Sequence, residues 1–138
     1  MTIIQSYLTF SGNCREAMAF YQQCLGGELN LQTIGESPLA EKMPQQMKDS
    51  ILHATLTKDH LVIMGSDMVG DDGLIKGNAV SLMLNCSSED EVRNCYARLA
   101  EGGKATHPIE VSFWGALFGD LTDKYGNHWL LHYDRKAK

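Results

Sequence analysis

Asn13-Cys14-Arg15-Glu16-Ala17-Met18-Ala19-Phe20-Tyr21-Gln22-Gln23-Cys24-Leu25-Gly26-Gly27 has a counterpart in Ser88-Glu89-Asp90-Glu91-Val92-Arg93-Asn94-Cys95-Tyr96-Ala97-Arg98-Leu99-Ala100-Glu101-Gly102-Gly103. Both stretches begin at a residue whose side-chain oxygen can cap a helix, and both place a glutamate three positions later. That is the spacing of a capping box. Each stretch closes on a glycine pair able to take positive φ and end the helix. Tyr21 and Tyr96 fall at the same place in the two frames, 75 positions apart. A unit of this size occurring twice predicts one domain with internal pseudo-twofold symmetry and one helix in each half.

The strands around these helices follow from alternation and punctuation. Ile3 to Phe10 alternates as a half-buried strand, and Leu29 to Ile34 reads as a second strand. Ile51 to Thr57 and Leu61 to Ser66 form a hairpin across Lys58-Asp59-His60. Glu36 to Ser50, with Pro38, Pro44, Met43 and Met47, has no clean period and reads as a long loop or lid containing a helical turn. Asp67 to Asn78, with three glycines and three acids, reads as a linker. The second half repeats the order with Ala79 to Asn85, the helix, Lys104 to Ile109, Ala116 to Thr122 and Asn127 to Tyr133. The predicted class is α+β: two βαβββ modules forming a curved eight-stranded sheet cup. The single domain spans 1–138, with module one at about 1–68, a linker at about 69–78 and module two at about 79–134.

Composition narrows the functional classes. At 138 residues the chain is long enough to bury a core without staples. A net charge of −5 argues against a nucleic-acid partner. The one basic cluster, Arg135, Lys136 and Lys138, reads as a solvated tail. No apolar run approaches a membrane span, and the first residues do not read as a signal peptide, so the expected compartment is the cytoplasm. Cys14, Cys24, Cys86 and Cys95 match no zinc spacing and are expected to be buried, reduced thiols.

Tyr7-Leu8-x-Phe10, Ala17-x-x-Phe20-Tyr21, Gly26-Gly27 and His53-Ala54 occur in this order ahead of a closing run. That run is Trp114-Gly115-x-x-Phe118-Gly119-x-x-x-Asp123-x-x-Gly126-x-x-Trp129. Together they resemble the PhnB-like branch of the glyoxalase/bleomycin-resistance (vicinal oxygen chelate) superfamily, over essentially the whole chain. The scaffold hosts many chemistries, so the resemblance implies a fold and not a reaction. Its enzymes hold a divalent metal with His, Gln or Glu from the first and last strands of each module. Those slots fall at or beside Gln5, Met64, Ser81 and Leu130, of which Gln5 alone is a usual ligand. Relatives carry methyltransferase-like labels, but no nucleotide or S-adenosylmethionine signature accompanies them here.

Alternation extends the slots into a lining: Gln5 and Tyr7; His53 and Thr55; Met64 and Ser66; Ser81 and Met83; His128, Leu130 and His132. The opposite faces, Leu8 and Phe10, Leu61 and Ile63, Val80, Leu82 and Leu84, Trp129, Leu131 and Tyr133, are expected to pack under the helices. His128 and His132 stand roughly 13 Å apart along an extended strand and cannot share one ion. His53 with His128, and Gln5 as a third ligand, is the remaining metal arrangement. His53 by itself reads as a hydrogen-bonded or ligand-orienting group, whereas His60 and His107 read as solvated. Asp123 reads as a turn residue accepting backbone N–H bonds. Trp114, in the loop before the seventh strand, either closes over a planar or apolar ligand or packs at a dimer interface.

The function expected on these grounds is small-molecule binding in the sheet cup of a homodimer, with no cofactor and neither nucleic-acid nor membrane partner. The alternatives are a metal-dependent lyase, dioxygenase or isomerase, and a drug-sequestering resistance protein. A cup built within one chain and a cup built across two chains both satisfy the strand pattern.

Overall fold

The computed structural model describes residues 2–135, so Met1, Lys136 and Lys138 of the sequence reading lie outside the described residues. The chain divides into two compact units between Ile75 and Lys76. The first contains β1 (Ser6–Thr9), α1 (Cys14–Leu25), β2 (Glu28–Thr33), β3 (Ile51–Lys58) and β4 (Leu61–Ser66). The second contains β5 (Leu82–Asn85), α2 (Glu89–Ala100), β6 (Lys104–Val111), β7 (Leu117–Thr122) and β8 (His128–Tyr133). One sheet runs β1-β4-β3-β2 and the other β5-β8-β7-β6, so adding four to every strand number of the first gives the second. In each sheet the first and last strands of the unit pair in parallel, and the remaining pairs are antiparallel.

Both helices follow the sequence reading closely. Along α1, Cys14, Ala17, Met18, Tyr21, Cys24 and Leu25 form one buried stripe at i, i+3, i+4 spacing. Along α2, Val92, Cys95, Tyr96 and Leu99 do the same. These stripes lie on sheet faces bearing Phe10, Ala54, Leu56 and Ile63 in unit one, and Leu117, Leu121, Trp129 and Leu131 in unit two. Full burial of an aliphatic or aromatic side chain contributes about 1.5–3 kcal/mol, so the two stripes and their facing strands are the main source of stability. The second glycine of each pair is indispensable. A Cβ on Gly27 would stand 2.5 Å from the Thr57 carbonyl oxygen at a φ of +103°, and one on Gly103 would strike the Thr122 carbonyl oxygen.

The helix starts differ from the expected capping boxes. Ser88 Oγ accepts from Glu91 N at 3.1 Å, while the Glu91 carboxylate accepts from Ser87 N, one residue earlier than a box requires. Asn13 makes no side-chain capping bond. Its place is taken by Asp67, whose Oδ1 accepts from Gly12 N (3.0 Å) and Cys14 N (2.9 Å) while Oδ2 accepts from Ile51 N (2.8 Å). Asp67 is therefore a buried clamp between α1, β3 and β4, and not a linker residue.

Strand edges are shorter than alternation suggests. Gln5 and the exposed Ile3 and Ile4 precede β1, and Ser81 and the exposed Val80 precede β5, because pairing with β4 and β8 begins only at Ser6 and Leu82. The expectation that Val80 packs under a helix is thereby corrected. The region 34–47 forms three short 3-10 turns, the first held by a Thr33–Glu36 capping box. Strand β6 is the outer strand of its sheet, contains Pro108, and breaks register with β7 on both sides of His107. Arg135 donates from Nε to the Gly115 carbonyl at 3.1 Å.

All four cysteines are buried thiols. Burial first, and the Asp67 charge second, push the Cys14 thiol from 9.0 up to about 12. The unfolded chain would release this proton near the ordinary value. Stability from Cys14 is thus complete below pH 9.0 and declines as pH rises toward about 12. The expected loss is at most about 1.4 kcal/mol per pH unit in that window. Urea midpoints across it should fall more steeply for the native chain than for Cys14→Ala.

Candidate functional site

Each sheet has one face turned away from its helix, and cross-strand pairing brings the predicted lining residues into rows there. In unit one, Tyr7 stands opposite Met64, and Met64 opposite Thr55. His53 joins this group: its Nδ1 lies 3.4 Å from the Tyr7 hydroxyl and its Nε2 lies 3.1 Å from Thr55 Oγ1. The Tyr7 and His53 rings sit 5.8 Å apart. Gln5 and Ser81 are exposed and lie outside the strands.

In unit two, Met83 pairs with Leu130, Leu130 with Asp120, and Asp120 with His107. The next row runs Asn85, His132, Phe118 and Glu110. His132 Nδ1 is 3.0 Å from Asn85 Oδ1, and His128 Nδ1 is 3.0 Å from Thr122 Oγ1. The three predicted lining histidines therefore occupy three separate hydrogen-bond sets, and His53 and His128 belong to different sheets. Among the described residues no group of three or more His, Cys, Asp or Glu side chains is placed to hold a metal ion. The superfamily's four metal slots do not fit a hard divalent ion here, since Met64 and Leu130 offer a thioether and a hydrocarbon.

The outer half of this face forms a groove of about 340 Å³, lined by His107, Pro108, Glu110 to Trp114, and Phe118 to Asp120. Local chemistry explains its wall. Gly115, at a φ of +89°, donates to the Ser112 carbonyl, and Ser112 and Ala116 exchange backbone and side-chain bonds. The tight turn so formed thrusts out Phe113, 98% exposed, and Trp114, 47% exposed. Phe113 meets Trp114 edge-on at 4.7 Å, and Trp114 meets Phe118 at 5.7 Å. The aromatic chain continues to His132 at 6.4 Å from Phe118.

At the other wall, His107 Nδ1 lies 2.9 Å from the Asp120 carboxylate. Behind this pair, the Tyr96 hydroxyl of α2 contacts the carbonyls of His107 (3.0 Å) and Asp120 (2.9 Å), fixing the two strands at the point where their register breaks. Desolvation, with the nearby Asp120 charge as the second cause, raises the Tyr96 phenol above its ordinary value, so the hydroxyl keeps its proton. His107 is solvated as expected, yet it is also paired with Asp120, a partner that alternation does not supply. Asp123 fulfils the turn role read from sequence: Oδ1 accepts from Tyr125 N and Asn127 N, and Oδ2 accepts from Trp129 Nε1 at 2.8 Å.

The model of the 3-demethylubiquinone-9 3-methyltransferase family matches residues 2–132. The chain belongs to this PhnB-like family. The chain is similar to protein YjdN of Escherichia coli K12, at 33% identity over 142 residues, covering 94% of this chain and 93% of YjdN. Protein PA1353 from Pseudomonas aeruginosa is 37% identical with a TM-score of 0.84, covering 97% of this chain and 98% of that one. The PhnB protein from Bacillus cereus is 29% identical with a TM-score of 0.74, covering 96% and 99%. Beyond the PhnB-like family, a glyoxalase-related enzyme from Fulvimarina pelagi shares the fold at 18% identity and a TM-score of 0.60, covering 96% and 88%. The architecture is that of the glyoxalase/bleomycin-resistance proteins.

Proposed function

We propose that this PhnB-like protein binds a small planar molecule on the open face of its second sheet, and that binding needs no metal. The observation that carries the reading is the groove of about 340 Å³ walled by Trp114 and Phe118. Its volume falls in the roughly 300–1,000 Å³ range of small-molecule sites, and aromatic walls with a few polar groups are their usual lining. Met83, Leu130 and His132 extend the proposed lining along the open face of the second sheet, Tyr7, His53 and Met64 form a separate candidate row on the first sheet, and the proposed working assembly is a cytoplasmic homodimer.

The test uses para-methylanisole, titrated at neutral pH while the Trp114 indole N–H resonance is followed, with Trp114→Phe to assign the signal. Saturable movement is expected, and Trp114→Ala, followed instead through the backbone amides of Gly119 and Asp120, should weaken binding about tenfold, the worth of one aromatic contact. A linear, unsaturable response would overturn the reading. Binding abolished by a chelator and restored by zinc or manganese would favour the metal-dependent enzyme in its place.

A further inference from the structure

His107 and Asp120 add a chemical requirement to the groove. A carboxylate can only accept, so the imidazole nitrogen 2.9 Å from it, Nδ1, carries the proton. In the neutral ring this leaves Nε2 with a lone pair and no donor. Among the described residues Nε2 has no hydrogen-bond partner, and the His107 side chain is 75% exposed while Asp120 is 29% exposed. The arrangement is an oriented acceptor: one ring nitrogen is committed to a carboxylate and the other is offered to an incoming group. Tyr96 pins both backbones from behind, so the pair is held in place from the helix side.

We infer that His107 Nε2, set by Asp120, accepts a hydrogen bond from the ligand, so that the groove selects planar rings bearing an O–H or N–H donor. This rests on the groove being a binding site, as proposed above. The rim also carries Glu110, and its carboxylate together with that of Asp120 disfavours an anion. The ligand class is therefore an uncharged or cationic planar ring with a donor, lying against Trp114 and Phe118. His107 is the recognising group, and Asp120 is a positioning residue that acts through the imidazole tautomer.

The experiment compares para-cresol with para-methylanisole, which differ by methylation of the hydroxyl, using the same Trp114 indole resonance. The native chain should bind cresol about fivefold more tightly than the anisole, the ordinary worth of one hydrogen bond. His107→Leu should bring that ratio to about one. Asp120→Asn should lower it as well, because an amide can present N–H to Nδ1 and so place the proton on Nε2. His107→Gln, whose amide oxygen still accepts, should keep part of the preference. A ratio of one in the native chain, or a ratio that survives His107→Leu, overturns the inference and leaves the groove itself intact. Failure of both probes to saturate overturns the binding site on which it rests.

Discussion

Asp67→Ala is expected to lower the stability of the first unit by about 4 kcal/mol, since two buried backbone donors would each lose a partner at about 1–3 kcal/mol. The donors are Cys14 N and Ile51 N, with the part-buried Gly12 N as a third. No nearby side chain can replace a carboxylate that reaches the start of α1 and the start of β3 together. Asp67→Asn should be milder but still costly, because one amide end would present N–H groups to an N–H. Urea unfolding gives the magnitude, and amide exchange gives the location: Cys14 and Ile51 should lose protection first. Unchanged exchange at both amides would show that the clamp is dispensable.

Gly119→Val is the second substitution with a large expected effect, and it acts on the groove. A Cβ at Gly119 would stand 2.8 Å from the His107 carbonyl oxygen and 3.0 Å from Ile109 N, both backbone atoms that cannot rotate away. Strand β6 must move off β7 to admit it. The movement breaks the two contacts of the Tyr96 hydroxyl and parts His107 from Asp120. Overpacking of this kind typically costs about 1–3 kcal/mol, and a branched side chain against two strands belongs at the upper end, about 3 kcal/mol. Thermal unfolding checks the stability. Retention of the cresol preference by Gly119→Val would show that close approach of the strands is not what sets the pair.

Much of the fold was legible because its signals are local. The helix limits Cys14–Leu25 and Glu89–Ala100 follow from flanking residues a few positions away, and strand parity correctly places Leu8, Ile63 and Leu131 toward the helices. What escaped depends on distant partners. Asp67 looks like a loop residue until Cys14, 53 positions earlier, is seen to need it. Ile3, Ile4 and Val80 have the composition of strand residues, yet they lie beyond the paired registers of β1 and β5. The pairing of His107 with Asp120 escaped for a related reason: counting from the β6–β7 turn cannot place one opposite the other, because the register shifts on both sides of His107. The candidate lining in unit one could be assembled from alternation, whereas the groove in unit two depends on a turn, a bulged strand and a helix tyrosine meeting in space.

Pro108 and the irregular register of β6 also bear on how this protein coexists with its own copies. An outer strand is a template on which another chain can grow a sheet, and proline removes one of the N–H groups such growth requires. The groove therefore borders an edge that resists strand addition. The rim that presents Phe113 and Trp114 to solvent, sticky enough to nucleate aggregates in a regular strand, is carried beside a backbone that gives a neighbouring strand little to hold.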